Sequence, residues 1–242
     1  LIPVLRSSKP KILQKNSAKW LTNLRKTHAE YQALLGDPSA KEADIKKAKK
    51  RFENAQNKYR HAEVKDALDK SMFKGKCAYC ESKITHVTYG AIEHFFPKSV
   101  YVDLTFEWSN LLFSCDRCND ANHKGTNFPL DANGDPLLID PTDGKTDPNA
   151  HLEFVWDDVA RIASIYGRDQ RGKTVETIFD LNGVNGRKEL IAHRSRYIKN
   201  LFALLPFAKL GDKEVIASLR EACDPSAEYS AFARVYILPY LP

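Results

Sequence analysis

The chain has 242 residues and 43% hydrophobic content, enough for one or two compact domains with a real core. No run approaches the ~18 apolar residues of a membrane-spanning helix, and nothing at its start reads as a signal peptide, so five cysteines point to a reducing cytoplasm. The net charge of +6 conceals an asymmetry: residues 1–76 hold 19 Lys and Arg against 8 Asp and Glu, while residues 77–242 hold 18 against 23.

In the basic region, Leu21, Leu24, His28, Tyr31 and Leu35 step by three and four residues, which predicts a helix. Gly36-Asp37-Pro38 breaks it, and Ser39 with Glu42 reads as a capping box. Ile45, Ala48, Phe52, Ala55, Tyr59 and Ala62 then form a heptad-like seam over about five turns. The opposite face carries Lys46, Lys47, Lys49, Lys50, Arg51, Lys58 and Arg60. The expectation for 1–76 is an antiparallel helical hairpin whose basic face suits a nucleic-acid backbone, with a plainly solvated helix face as the alternative.

Cys77 and Cys80 form one C-x-x-C pair, and Cys115 and Cys118 a second. Each pair places two thiolates on a tight turn, and together they supply the four soft ligands of a tetrahedral Zn²⁺ site with no open position. Such an ion is structural. Two disulfides are the competing reading, and they would leave Cys223 as an odd thiol.

Between the pairs, Tyr89-Gly90 marks a turn and Ala91–His94 a strand, with Phe95, Phe96, Trp108 and Leu111–Phe113 as core around the zinc. Glu93 and His94 are adjacent, so they point to opposite sides of that strand. An imidazole titrates near neutral pH and can take a proton from water. Hard oxygen donors such as a carboxylate or an amide suit Mg²⁺ or Mn²⁺ better than zinc. The module ends at Asn127-Phe128-Pro129-Leu130. Residues 131–149 read as turns. Residues 152–156 and 160–166 read as paired strands, and 173–180 and 186–205 as helices. Leu190, Arg194, Tyr197, Leu201 and Leu205 share one face of the second of these helices, and Asp212 caps a further helix reaching Cys223. The expected class is α+β, divided into a hairpin (1–76), a zinc-bearing module (77–130) and a mainly helical C-terminal region (131–242).

Glu93-His94 with Pro97, Trp108-Ser109-Asn110-Leu111 and Cys118-Asn119 in this order resemble the HNH endonuclease motif, a ββα-metal module. The resemblance implies that His94 is the general base, that Asn110 holds its ring by a hydrogen bond, and that Glu93 and Asn119 serve a catalytic divalent ion. His123 lies four residues after Asn119 and shares its face if the helix continues; HNH toxins place a metal-binding histidine at this spacing, making it a candidate third ligand. The other branch makes Lys124 a phosphate contact and His123 a bystander. The longer order IEHF-x-P, WSNL, SC-x-x-CN, FPL, LLIDP, a hairpin, then Asp180-Leu181-Asn182 is similar to the HNH nuclease subunit of Septu-type anti-phage defence systems, also found with some retrons. That likeness implies an ABC/SMC-like ATPase partner and a DNA or RNA substrate. A non-catalytic zinc module that binds nucleic acid, or an adaptor subunit, remains the alternative.

Overall fold

The computed structural model describes residues 1–242. The basic region folds as a helical hairpin: α1 (Lys11–Leu35) and α2 (Glu42–Gln56) lie side by side, with Leu24, Ala48 and Ala55 buried between them. His28 and Tyr31 of α1 stack on Phe52 of α2, at 4.9 and 5.9 Å between ring centroids. The turn differs from expectation. Ser39 donates to Asp37 through both its backbone N–H and its hydroxyl, so no capping box forms, and α2 begins at Glu42 without a side-chain cap. A local Asx-type turn has outcompeted the cap for the same serine. The predicted single helix is also interrupted. After α2 the chain tightens into a 3₁₀ turn at Asn57–Arg60 and restarts as α3 (Ala62–Asp66), where His61 Nδ1 accepts from Glu63 N. It then runs on as a wide i→i+5 helix, Ala67–Phe73, that buries Leu68, Met72 and Phe73.

β1 (Ala91–His94) and β2 (Leu111–Ser114) form an antiparallel pair in which Glu93 faces Leu112 and His94 faces Leu111 across the ladder. Gly90 makes the entry to β1 possible: its φ is +61°, and a Cβ there would collide with the Phe113 ring. The one-turn helix α4 (Asp116–Asn119) completes the ββα unit, with Cys115 as its N-cap. After the turns of 131–147 come α5 (Pro148–His151), the paired strands β3 (Leu152–Asp157) and β4 (Ile162–Gly167), and α6 (Gln170–Ile178). Three more helices follow: α7 (Lys188–Lys209), α8 (Lys213–Ala222) and α9 (Ser230–Tyr236). Asp212 caps α8 by accepting from Glu214 N and Val215 N.

One apolar core of 40 buried residues draws on the N-terminal segment, the cysteine module and the C-terminal helices. Arg194 of α7 is fully buried there, and its Nε donates to the Ala163 carbonyl at 2.8 Å, tying α7 to β4. At the other end, Arg6 donates to the carbonyls of Leu111 and Ser109, each at 3.0 Å, and to Trp108 O, which clamps the N-terminal segment across the ββα unit. No helix is long and apolar enough to cross a membrane.

Candidate active site

The four predicted zinc ligands converge. The sulfurs of Cys77, Cys80, Cys115 and Cys118 lie within 4.8 Å of one another, unbridged by disulfides, and Cys80 Sγ is 3.9 Å from Cys115 Sγ. A tetrahedron with Zn–S of about 2.3 Å has sulfur–sulfur edges of about 3.8 Å, so the donor set fits zinc. Local backbone fixes both turns: Cys77 N donates to Ser82 O, Ala78 N to Phe113 O, and Cys118 N to Cys115 Sγ. Burial pushes the thiols of Cys77 and Cys118 up, while hydrogen bonds from the other cysteines hold Cys80 well below the usual thiol range. The apolar setting therefore resists four thiolates unless positive charge is supplied. Part comes from Arg187, whose Nη1 donates to Cys118 Sγ at 3.3 Å and to Phe179 O at 2.5 Å. Despite its burial, the charges of Cys118 and Cys80 raise the guanidinium above its ordinary range. Nothing in the spacing of Arg187 announced it. It sits just before α7, 69 residues beyond Cys118 in the chain.

A cleft of about 700 Å³ opens along β1, lined among others by Glu93, His94, Pro97 and Asn119, so the alternation of the strand does not divide Glu93 and His94 between two sites as expected. His94 is only 4% exposed, and its Nε2 lies 3.0 Å from the Thr105 carbonyl oxygen. A carbonyl only accepts, so Nε2 carries the proton and Nδ1 is left as the basic nitrogen. Burial lowers the imidazole pKa to about 3, reinforced by the positive charges of Lys98, Lys124 and Arg60. The ring is therefore neutral at physiological pH. Glu93 is buried too, and its Oε1 lies 2.5 Å from Lys124 Nζ. Burial raises the carboxyl and lowers the ammonium, and each is countered by the other's charge. Asn119, the last residue of α4, lines the same cleft.

Several sequence-based expectations are corrected by this geometry. Asn110 does not touch the His94 ring. Its Oδ1 accepts from Phe96 N at 2.7 Å, and its Nδ2 donates to Phe96 O and Leu104 O, each at 3.1 Å. It staples the two ends of the loop that delivers the Thr105 carbonyl, so the ring is held by backbone and only indirectly by Asn110. α4 stops at Asn119 because Asp120 is extended, and the Asp120 carboxylate caps the following turn through Asn122 N and His123 N. His123 consequently leaves the Asn119 face, pairs through Nδ1 with Asp120 at 3.0 Å, and does not line the cleft. Lys124 is fully buried, held by Glu93 and by the His94 carbonyl at 2.8 Å, and cannot reach a phosphate in this arrangement. The exposed cations Lys46, Lys47, Lys49, Lys50 and Arg51 do not line the cleft either; Arg51 pairs with Glu30 at 3.4 Å and Lys49 with Glu53 at 3.9 Å. The cations that do line it are Arg60, Lys65 and Lys98. The helical pattern had assigned Tyr59 to the hairpin seam; it also lines the cleft.

A two-stranded hairpin and a short helix around a zinc-type cysteine cluster, with a backbone-held histidine on the first strand, define an HNH module. The HNH endonuclease family profile matches residues 77–125. Over 168 residues the chain is 33% identical to the Septu protein PtuB of Bacillus mycoides (strain KBAB4), covering 59% of this chain and 53% of that one. It is 34% identical over 112 residues to the Septu protein PtuB of Bacillus thuringiensis, covering 46% and 38%. The chain thus carries an HNH endonuclease domain in a PtuB-like sequence, and it spans about half the length, or less, of the curated relatives it matches.

Proposed function

We propose that this chain is a metal-dependent HNH endonuclease that hydrolyses phosphodiester bonds in DNA or RNA, acting as the cytoplasmic effector nuclease of a Septu-type anti-phage complex with an ABC/SMC-like ATPase. The observation that carries the catalytic part is the state of His94. A neutral imidazole, fixed through Nε2 by a backbone carbonyl, leaves Nδ1 to receive a proton in a cleft within the HNH-matched segment. Glu93 and Asn119 fit a small hard cation: they line the same cleft, offer oxygen atoms, and leave the remaining positions to water and phosphate, the usual habit of Mg²⁺. Such an ion, Mg²⁺ or Mn²⁺, would supply Lewis-acid stabilisation of charge on the scissile phosphate. Asn110 keeps the loop closed around His94, and Lys124 holds Glu93 in place while offsetting its charge. Arg60, Lys65 and Lys98 provide the positive wall that a phosphate backbone requires.

In this reading the basic hairpin (1–76), the nuclease module (77–130) and the C-terminal scaffold (131–242) divide the labour, with Zn²⁺ on the four cysteines as a structural ion. The defence role and the ATPase partner rest on the likeness to PtuB. A nicking assay on plasmid and on labelled RNA, with Mg²⁺ or Mn²⁺, tests the chemistry. Cleavage by the wild type and none by His94→Ala is expected; equal cleavage by both excludes His94 as the base.

A further inference from the structure

We propose that Tyr59, at the end of the N-terminal hairpin, is a positioning residue of this nuclease site: its ring fixes the plane of the His94 imidazole, so the hairpin is a wall of the active site. The inference rests on His94 being the base proposed above.

The two rings meet edge to face, 4.5 Å between centroids and 89° between planes. Such contacts are directional because the edge of one ring is positive and the face of the other negative. The Thr105 carbonyl is the sole hydrogen-bond partner of the His94 ring within the protein. One such bond fixes where Nε2 sits but leaves the ring able to rock about it. A second contact, on a different part of the ring, is needed to aim Nδ1. Tyr59 is 3% exposed and supplies that contact.

Tyr59 is also seated outside the main core. It belongs to a small separate cluster with Leu24, Ala55 and Phe106, formed where the hairpin meets the loop before β2. Phe106 directly follows Thr105, so the loop that holds Nε2 is the loop on which the hairpin docks. Trp20 packs edge-on against Phe106 at 5.6 Å, and Arg25 pairs with Asp103 at 2.7 Å. The hairpin that carries the tyrosine is therefore docked on the same loop that presents the carbonyl. Arg60 Nε donates to the Tyr59 hydroxyl at 3.2 Å, and Lys98 Nζ lies 5.6 Å from the ring centroid. Tyr59 thus stands beside two of the cations on the cleft wall and screens the imidazole from water. The charged groups bearing on His94 are Lys98, Lys124 and Arg60, all positive, with Glu93 held by Lys124.

The test compares Tyr59→Ala, Tyr59→Leu and Tyr59→Phe in the full chain, each checked for zinc content and melting, alongside His94→Ala. Loss of the ring is expected to lower kcat by about 10- to 100-fold, the scale of a misaimed catalytic group, with KM within about threefold. Tyr59→Phe keeps the ring and should restore kcat to within about threefold of wild type. Ring-labelled histidine NMR without substrate gives a second readout: the His94 ring signals should shift and broaden in the Leu and Ala variants as the ring loses its fixed plane, and keep their wild-type positions in Tyr59→Phe. If Tyr59→Ala does not fold, Tyr59→Leu, which refills most of the volume, carries the same comparison. Wild-type kcat in the Leu variant overturns the proposal. So does a lowered kcat with unchanged His94 ring signals, which marks lost packing alone. If His94→Ala cleaves like wild type, the nuclease reading itself fails; if His94→Ala is dead and the Leu variant is fully active, only the role of Tyr59 fails.

Discussion

The cysteine cluster and the cleft of the ββα unit handle charge in opposite ways. In one, four sulfurs gather beside one arginine, a donor set that would take every position of a tetrahedral ion. In the other, one carboxylate and one amide line a cleft beside a neutral imidazole, so an ion there would keep most of its sites for water and substrate. Soft ligands that saturate a tetrahedron make a fastener, while a few hard ligands in an open cleft leave coordination sites for chemistry. The comparison teaches that the cysteine cluster should matter to folding and the cleft to turnover, with little exchange between those roles.

Removing the fastener should have the largest effect. Structural zinc contributes about 10–16 kcal/mol of apparent binding free energy in small metal-dependent folds. Cys115→Ser, or chelation, is therefore expected to abolish zinc binding and the cooperative melting of the module. Calorimetry on the zinc-free protein checks this, and a mutant that melts as sharply and as high as wild type breaks the comparison on its structural side.

The next largest effect concerns Lys124. Replacing it by Met leaves the Glu93 carboxylate buried without a counter-charge, which costs about 3–5 kcal/mol when one partner of a buried pair is removed. Denaturant unfolding of Lys124→Met should show that loss, and Glu93→Gln in the same background should recover much of it. Had Lys124 been a surface phosphate contact, stability would not change and only substrate binding would weaken.

Arg187→Met sharpens the view of the cysteine cluster. The loss of a charge-assisted bond to Cys118 should weaken zinc retention by about 10- to 100-fold, the usual effect of removing a group that supports metal ligands. Competition with a coloured chelator reads this directly.

The smallest effect is on pH. A base whose pKa is lowered stays unprotonated, and so competent, as pH falls. With His94 at about 3, the acid limb of the cleavage rate should not fall at the ordinary imidazole value of 6.5 but well below it. Stability follows the same linkage. Between about pH 3 and 6.5 the unfolded histidine binds a proton that the native one does not, so this residue's contribution to stability falls as pH drops through that window. A rate profile with its acid midpoint at 6.5 would place His94 in a wetter setting than the structure gives it.

These contrasts also explain what was legible in the sequence. The cysteine pairs were readable because their geometry is local: a C-x-x-C turn predetermines two ligands whatever the remainder of the fold does. The strand carrying His94, the C-terminal strand pair and the cap at Asp212 were readable for the same reason. The surroundings of His94 were not. Its hydrogen-bond partner is a backbone carbonyl, and any residue at position 105 offers one. Asn110 bonds Phe96 and Leu104 and not the His94 ring; a loop staple and a ring brace look alike in spacing. His123 was misplaced by a single extended residue, Asp120, that ends α4 one turn early. Lys124 pairs with a residue 31 positions back, and only the fold brings them together. Tyr59 satisfied the seam pattern so well that nothing in the sequence suggested a second face.

The central claim, that a structural cysteine cluster and a separate histidine centre coexist in one module, is tested most directly by measuring zinc content and Mg²⁺-supported cleavage on the same preparations of wild type and His94→Ala. The account predicts one zinc per chain and a cooperative melt in both, with cleavage reduced by about 10²- to 10⁴-fold in the mutant. Cleavage at the wild-type rate by His94→Ala, or a fully folded wild type that holds no zinc, would contradict it.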